Sequence, residues 1–274
     1  MFVTRLASGV VLVVIALGAM GYGGIPLALV LWAISMVAFR ELTKATGCAT
    51  KERGLNGLEW LGIAATTTYY AILYMGGSDI FSLMCIVGFF LLEMFAYVVV
   101  FPRYQAGQVM AAVFAFLYAP VMLSFVYQTR MGNQGLYVVW MILISSWGCD
   151  TCAYVVGKLI GRKKIFPQLS PKKSLEGCIG GVLGAALIGW LYGHFFVEAA
   201  FPEQTVSWII ALICGAGAVM SMVGDLAASA IKRNARIKDY GKLIPGHGGI
   251  MDRFDSMIVT APMTYFLALL LLAA

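Results

Sequence analysis

The chain has 274 residues, 61% of them apolar and only 12% Asp, Glu, Lys or Arg, with a net charge of +6 and a mean hydropathy of +0.87. That composition excludes a soluble globule, and no polar segment is long enough to fold by itself, so one integral membrane domain is expected. Six cysteines, at 48, 85, 149, 152, 178 and 214, form no secreted disulfide framework, and no nucleic-acid partner is expected.

Apolar runs near the roughly 20 residues that a helix needs to cross about 30 Å of hydrocarbon recur along the chain. They predict an all-α, polytopic fold of nine spans, near 6–19, 25–39, 60–75, 80–101, 109–127, 136–156, 179–196, 208–223 and 257–272. The first run lacks a small-residue cleavage site, so it is expected to stay as a helix and not to be removed as a signal peptide. With the N-terminus inside, alternation places every one of the 19 Lys and Arg except Arg130 on the same side. Cytoplasmic loops carry that excess, which predicts a cytoplasmic N-terminus and an outside C-terminus. Residues 1–135 hold spans one to five, and 136–274 form the expected catalytic half with two basic cytoplasmic loops. The earlier basic groups, Arg40, Lys44, Lys51, Arg53 and Arg103, read as topology signals.

Three carboxylates stand inside predicted spans: Glu93 in LLEMFAY, Asp150 in WGCDTCAY and Asp225 in VGDLAAS. An ionisable group at such depth is a functional candidate, although Glu93 also suits a neutral acid bonded to a neighbouring helix. Cys149 and Cys152 make one CxxC without the second pair or histidines a zinc site needs, so they read as small apolar residues. Asp150 precedes Tyr154, Gly157 and Lys158, and its span feeds the loop GKLIGRKKIFPQLSPKKSLEG. Gly157 and Gly161 admit close backbone approach, while Lys172, Lys173 and Ser174 suit anionic oxygens. Ser174 is also placed to cap the next helix, whose N-terminus would itself attract phosphate.

The stretch 221–255, SMVGDLAASAIKRNARIKDYGKLIPGHGGIMDRFD, concentrates the remaining charge. Asp225, Ser229 and Lys232 fall at i, i+4 and i+7 of a helix and share a face, with Arg233 beside them. A loop follows with Lys238, Asp239, Lys242, Pro245, His247, Gly248 and Gly249. Asp252, Arg253 and Asp255 close it, the two acids three apart just before the last span. Two short-armed acidic clusters on adjoining helices suit a hard cation such as magnesium, and one carboxylate could instead move a proton. His247 reads as a base, a phosphate contact or a loop-fixing residue.

Ser229-x-x-Lys232-Arg233, Lys238-Asp239, Pro245-x-His247-Gly248-Gly249 and Asp252-Arg253-x-Asp255 together resemble the signature of the phosphatidate cytidylyltransferase (CDP-diacylglycerol synthase) family. The upstream Asp150, Gly157-Lys158 and Ser170-Pro171-Lys172-Lys173-Ser174-x-Glu176-Gly177 resemble that family's second motif. The resemblance implies transfer of the cytidylyl group of CTP to phosphatidic acid, giving CDP-diacylglycerol and pyrophosphate at the cytoplasmic face of a bacterial-type inner membrane. It implies a homodimer, and magnesium with a second cation such as K+, bridged by carboxylates matching Asp225 and Asp252; Asp255 is a further candidate ligand. Catalytic roles then fall to Asp225, Asp252, Lys232, Arg233, Ser229 and His247. Substrate contacts fall to Lys172, Lys173, Ser174, Lys238, Asp239, Gly248, Gly249, Arg253 and Asp150.

Two other classes compete. A CTP-dependent kinase acting on a lipid alcohol would want a positioned base, for which His247, Asp239 or Asp255 would serve. A transporter or channel would distribute polar groups through the depth of several spans, whereas here they gather at one face.

Overall fold

The computed structural model describes residues 2–49, 54–203, 205–243 and 248–272. The described residues are helical apart from their loops and one isolated antiparallel bridge, Lys164 to Ser174. We number the long helical segments α1 Phe2–Tyr22, α2 Gly24–Ala45, α3 Gly57–Tyr74, α4 Asp79–Val99, α5 Ala106–Met131, α6 Gly135–Leu159, α7 Leu175–Ala200, α8 Ser207–Asn234 and α9 Met251–Leu271. Seven of them, α2 and α4 to α9, are long and apolar enough to cross a membrane. Among the described residues, seven of the nine expected spans thus meet that standard, and the side chains of 2–10 and 12 in α1 lie outside the description. In α1 the apolar stretch with described side chains is Val13–Tyr22, and α3 has only 18 residues, among them Glu59, Thr66, Thr67 and Thr68. Lys51, Arg53, Pro245 and His247 lie outside the described residues.

The chain divides into two compact units, 1–127 with 231–253, and 128–230 with 254–274. In the first, Phe39 and Leu42 of α2, Leu58 of α3, Phe89 of α4 and Ala112 and Phe116 of α5 are buried. Gly62 lets α3 lie directly on the Phe39 ring, where a Cβ would collide. Asn56 and Glu59 form a reciprocal cap at the start of α3: Glu59 N–H donates to Asn56 Oδ1 at 2.8 Å and Asn56 N–H to Glu59 Oε2 at 3.1 Å. The buried Glu59 carboxylate also accepts from Thr43 at 3.0 Å and pairs with Arg40 at 3.4 Å, so the charge is compensated. Cys48 is buried in the same unit, where loss of hydration pushes its thiol up to about 12 and keeps it protonated.

The second unit is built on close helix contact through glycine. On α7, Gly177, Gly180, Gly181 and Gly184 face Ala153, Val156, Cys149 and Cys152 of α6. In lipid, where apolar surface gives no solvent-driven gain, such small residues let dispersion and backbone contact hold helices together. Further along α7, Gly189 meets Cys214 and Gly193 meets Ser207, both on α8. Cys149 is fully buried and donates weakly to the Ala218 carbonyl at 3.7 Å; its partner Cys152 packs against Gly184. Both are free thiols in a packing role. A Cβ on Gly180 would lie 2.6 Å from three side-chain carbons of Val156. Gly180→Leu is therefore expected to cost about 1–3 kcal/mol of overpacking, read as a lowered melting temperature in detergent; an unchanged melt would refute this packing.

Candidate active site

The second unit holds a cavity of about 270 Å³ lined by Asp150, Tyr154, Gly157, Lys158, Lys172, Lys173, Ser174 and Gly177. Its floor comes from α6, which passes through a π-helical turn at Ile144–Gly148 immediately before Asp150. Such turns widen a helix and are frequent at functional sites. The lid-side loop is fixed by its own motif. Ser174 caps α7 by accepting from Gly177 N–H at 3.2 Å. Glu176, two residues after the cap and in the first turn, reaches back to accept from the amides of Arg162 at 3.0 Å and Lys163 at 3.2 Å. Gly157 and Gly161 are required because a Cβ on either would press on Ser174 Oγ. The loop thereby holds Lys172 and Lys173 at the start of α7, where the helix dipole and three cavity lysines favour an anion.

Asp225, on α8 in the same unit, receives the Lys173 ammonium at 2.5 Å. The ammonium is buried and makes no hydrogen bond of good geometry, so its contact with Asp225 is a charge pair. Asp150 accepts from Ser256 Oγ at 3.4 Å, and Ser256 donates its backbone N–H to Asp255 at 2.8 Å. Asp150 and the buried Asp255 are thus linked through one serine, which sequence spacing did not reveal. Gly224, beside Asp225, lets α8 approach the backbone carbonyl of Asp255.

The first unit organises the other half of the motif. Lys232 donates to Asp252 Oδ1 at 2.7 Å, and its ammonium sits 5.5 Å from the centre of the Tyr240 ring. Asp252 Oδ2 accepts from Tyr240 N–H at 2.9 Å and Gly249 N–H at 3.0 Å. With its side chain only 4% exposed, this carboxylate is held in one orientation. Gly248, at φ +89°, supplies a left-handed turn that a side chain would strain. Arg233, Lys238, Asp239 and Arg253 are exposed, and Ser229 is half-buried on α8.

Sequence reasoning missed Glu41. It is a buried acid on α2 whose carboxylate accepts from Ile250 N–H at 3.2 Å and Met251 N–H at 2.8 Å. Glu41 falls just past the predicted span 25–39, between Arg40 and Lys44, in a group that reads as a topology signal.

Asp225 and Asp252 each accept a cationic ammonium, and their oxygens are the hard donors that magnesium takes. Among the described residues, no three acidic, histidine or cysteine side chains converge into a ready-made cage. Magnesium commonly binds one or two carboxylates and completes its octahedron with water and substrate phosphate, so the residues present fit that ion.

The sequence model of the Cytidylyltransferase family matches residues 3–271. The chain is 30% identical over 266 residues to a phosphatidate cytidylyltransferase of Bacillus subtilis, covering 96% of each protein. It is 42% identical over 138 residues to the phosphatidate cytidylyltransferase of Synechocystis sp., and 38% over 152 residues to that of Thermotoga maritima. Those two matches span 50% and 55% of this chain and 45% and 56% of the relatives. Matched along nearly its whole length, the chain belongs to the cytidylyltransferase family.

Proposed function

We propose that this protein transfers the cytidylyl group of CTP to phosphatidic acid, giving CDP-diacylglycerol and pyrophosphate. The observation that carries the reading is the cavity lined by Asp150, Lys158, Lys172, Lys173 and Ser174, whose Lys173 ammonium pairs with Asp225. An oxygen of the lipid phosphate bonds to the α-phosphorus of CTP. The bond from that phosphorus to the β-phosphate oxygen breaks, and pyrophosphate leaves. The attacking oxygen is already anionic, so no strong base is needed and rate comes from positioning and charge neutralisation. Lys172 and Lys173 are proposed to offset phosphate charge, and Lys232 and Arg233 have the same proposed role; Ser174 and Ser229 offer hydroxyl donors. Lys238, Asp239, Gly248, Gly249 and Arg253 are proposed to hold nucleotide or lipid phosphate. Asp225 and Asp252 would hold magnesium, with Asp255 a further candidate and K+ a candidate second cation. When bound, magnesium would supply Lewis-acid stabilisation of charge on the transferring phosphoryl oxygens. Membrane helices beside the cavity suit a substrate whose acyl tails stay in lipid.

The test is incubation of purified protein in detergent with magnesium, phosphatidic acid and CTP labelled separately in cytidine and in the γ-phosphate. Lipid carrying the cytidine label supports the reading. Transfer of γ-phosphate to a lipid alcohol would overturn it in favour of a kinase.

The same reading places the protein in a bacterial-type inner membrane, as a homodimer with N-terminus and site cytoplasmic; under the nine-span alternation, the one-sided Lys and Arg support the orientation. On a cysteine-free background, a cysteine in loop 160–173 should react with an impermeant thiol reagent only from the cytoplasmic side, and one at Glu203 only from the other. Labelling of both from one side would break the orientation. Light scattering in detergent should give a protein mass near twice 29.6 kDa.

A further inference from the structure

Glu41 lies 209 residues from the backbone it grips. Only 7% exposed, it sends its carboxylate to the start of α9, where Ile250 and Met251 present amides that no helical carbonyl can accept. Two glycines make room for it. A Cβ on Gly249 would lie 2.6 Å from the Glu41 carboxyl carbon, and one on Gly241 would lie 2.9 Å from it. Those glycines adjoin the two residues whose environment fixes Asp252: Gly249 itself donates to Asp252 Oδ2, as does Tyr240. Tyr240 also faces the Lys232 ammonium that pairs with Asp252. One buried carboxylate therefore ties α2 to both strands of loop that aim the Asp252 side chain.

We propose that Glu41 is a positioning residue: by holding the Ile250 and Met251 amides between Gly241 and Gly249, it sets the orientation of Asp252 for the transfer reaction. This rests on the functional reading of Asp252 given above. The groups that orient a ligating carboxylate ordinarily matter nearly as much as the ligand itself. Glutamine in place of Glu41 keeps one acceptor oxygen but turns an NH2 toward an amide that also donates, so one of the two bonds is lost with little change in volume.

The experiment uses the full chain in detergent. Amide hydrogen exchange is measured by peptide mass in magnesium-free protein, alongside steady-state kinetics with magnesium titration, for Glu41→Gln, Gly241→Ala and Lys44→Gln. Gly241→Ala attacks the clamp from the loop side, leaving the sequence of α2 unchanged. Both clamp variants should exchange at least about tenfold faster in peptides covering 239–243 and 248–252, with α3 peptides unchanged. They should lower kcat about tenfold, leave KM for CTP within about threefold, and need more magnesium for half-maximal rate. Lys44, exposed on the same helix, should show none of these changes. Unchanged exchange in both clamp variants overturns the inference, and so does a kcat within twofold of the parent. A loss spread equally over α3 peptides would also overturn it, as general destabilisation. Failure of the underlying reading looks different: Asp252→Asn would stay active while the clamp variants still loosened the loop.

Discussion

Asp252→Asn is expected to lower kcat/KM by at least about a hundredfold while the protein inserts, folds and melts close to the parent. The substitution is a clean one because of how the side chain is held. Asparagine's single oxygen can still accept the Tyr240 and Gly249 amides that Asp252 Oδ2 accepts now. Its NH2 would then replace the oxygen facing Lys232, so charge and pairing vanish while the loop geometry persists. Removing one preorganised electrostatic contact from a phosphoryl or acyl transfer site typically costs 10²–10³ in rate, or about 2.7–4 kcal/mol. Asp225→Asn should show a loss of the same order, since it deletes the carboxylate paired with the cavity residue Lys173. Kinetics across a magnesium titration, with melting curves as the control for folding, decide the matter. Either variant retaining activity within about tenfold of the parent at limiting magnesium would end its assignment as a metal carboxylate.

What the sequence made legible follows the range of the interactions. Asp225, Ser229 and Lys232 do lie on one continuous helix, because helical period is a local property and the run has no breaker. Ser174 and its loop glycines were readable for the same reason: a cap and its partner amide are three residues apart. The apolar runs were readable as helices, but α3 does not reach the apolarity of the seven that meet the standard for a span. The Thr66–Tyr70 region of α3 is polar enough to lower it, while Glu59 in its first turn is spent on capping. Long-range partners were illegible. Nothing near residue 41 signals amides at 250 and 251, and nothing near 150 signals a serine at 256. The Cys149/Cys152 pair reads from the sequence as small apolar residues and packs as such, but the glycine stripe it fits opposite appears only when α6 and α7 are brought together.

The basic residues that share one compositional signature should separate sharply by position. Lys173 lines the cavity with a side chain only 20% exposed, and its ammonium touches Asp225 without a directed hydrogen bond. A phosphate entering the cavity would compete with that carboxylate for the ammonium. Lys172 also lines the cavity but is exposed, and its backbone carbonyl is taken by Lys164 at 2.9 Å. Lys44 lies exposed in the last turn of α2. Lys173→Gln should therefore lower kcat/KM by about thirtyfold or more, since a charged hydrogen bond contributes about 1.5–3 kcal/mol and is least screened where water is least present. Lys172→Gln should lose about tenfold, and Lys44→Gln less than twofold. The double variant Asp225→Asn/Lys173→Gln should lose much less than the product of the single losses, because the two side chains act on the same phosphate and on each other. If the lysines served only to orient the chain in the membrane, summed charge alone would matter and the three single losses would be small and alike. Equal effects at 44, 172 and 173 would sink the anion-binding role of this loop; a graded series with strong coupling between 173 and 225 is the expected result.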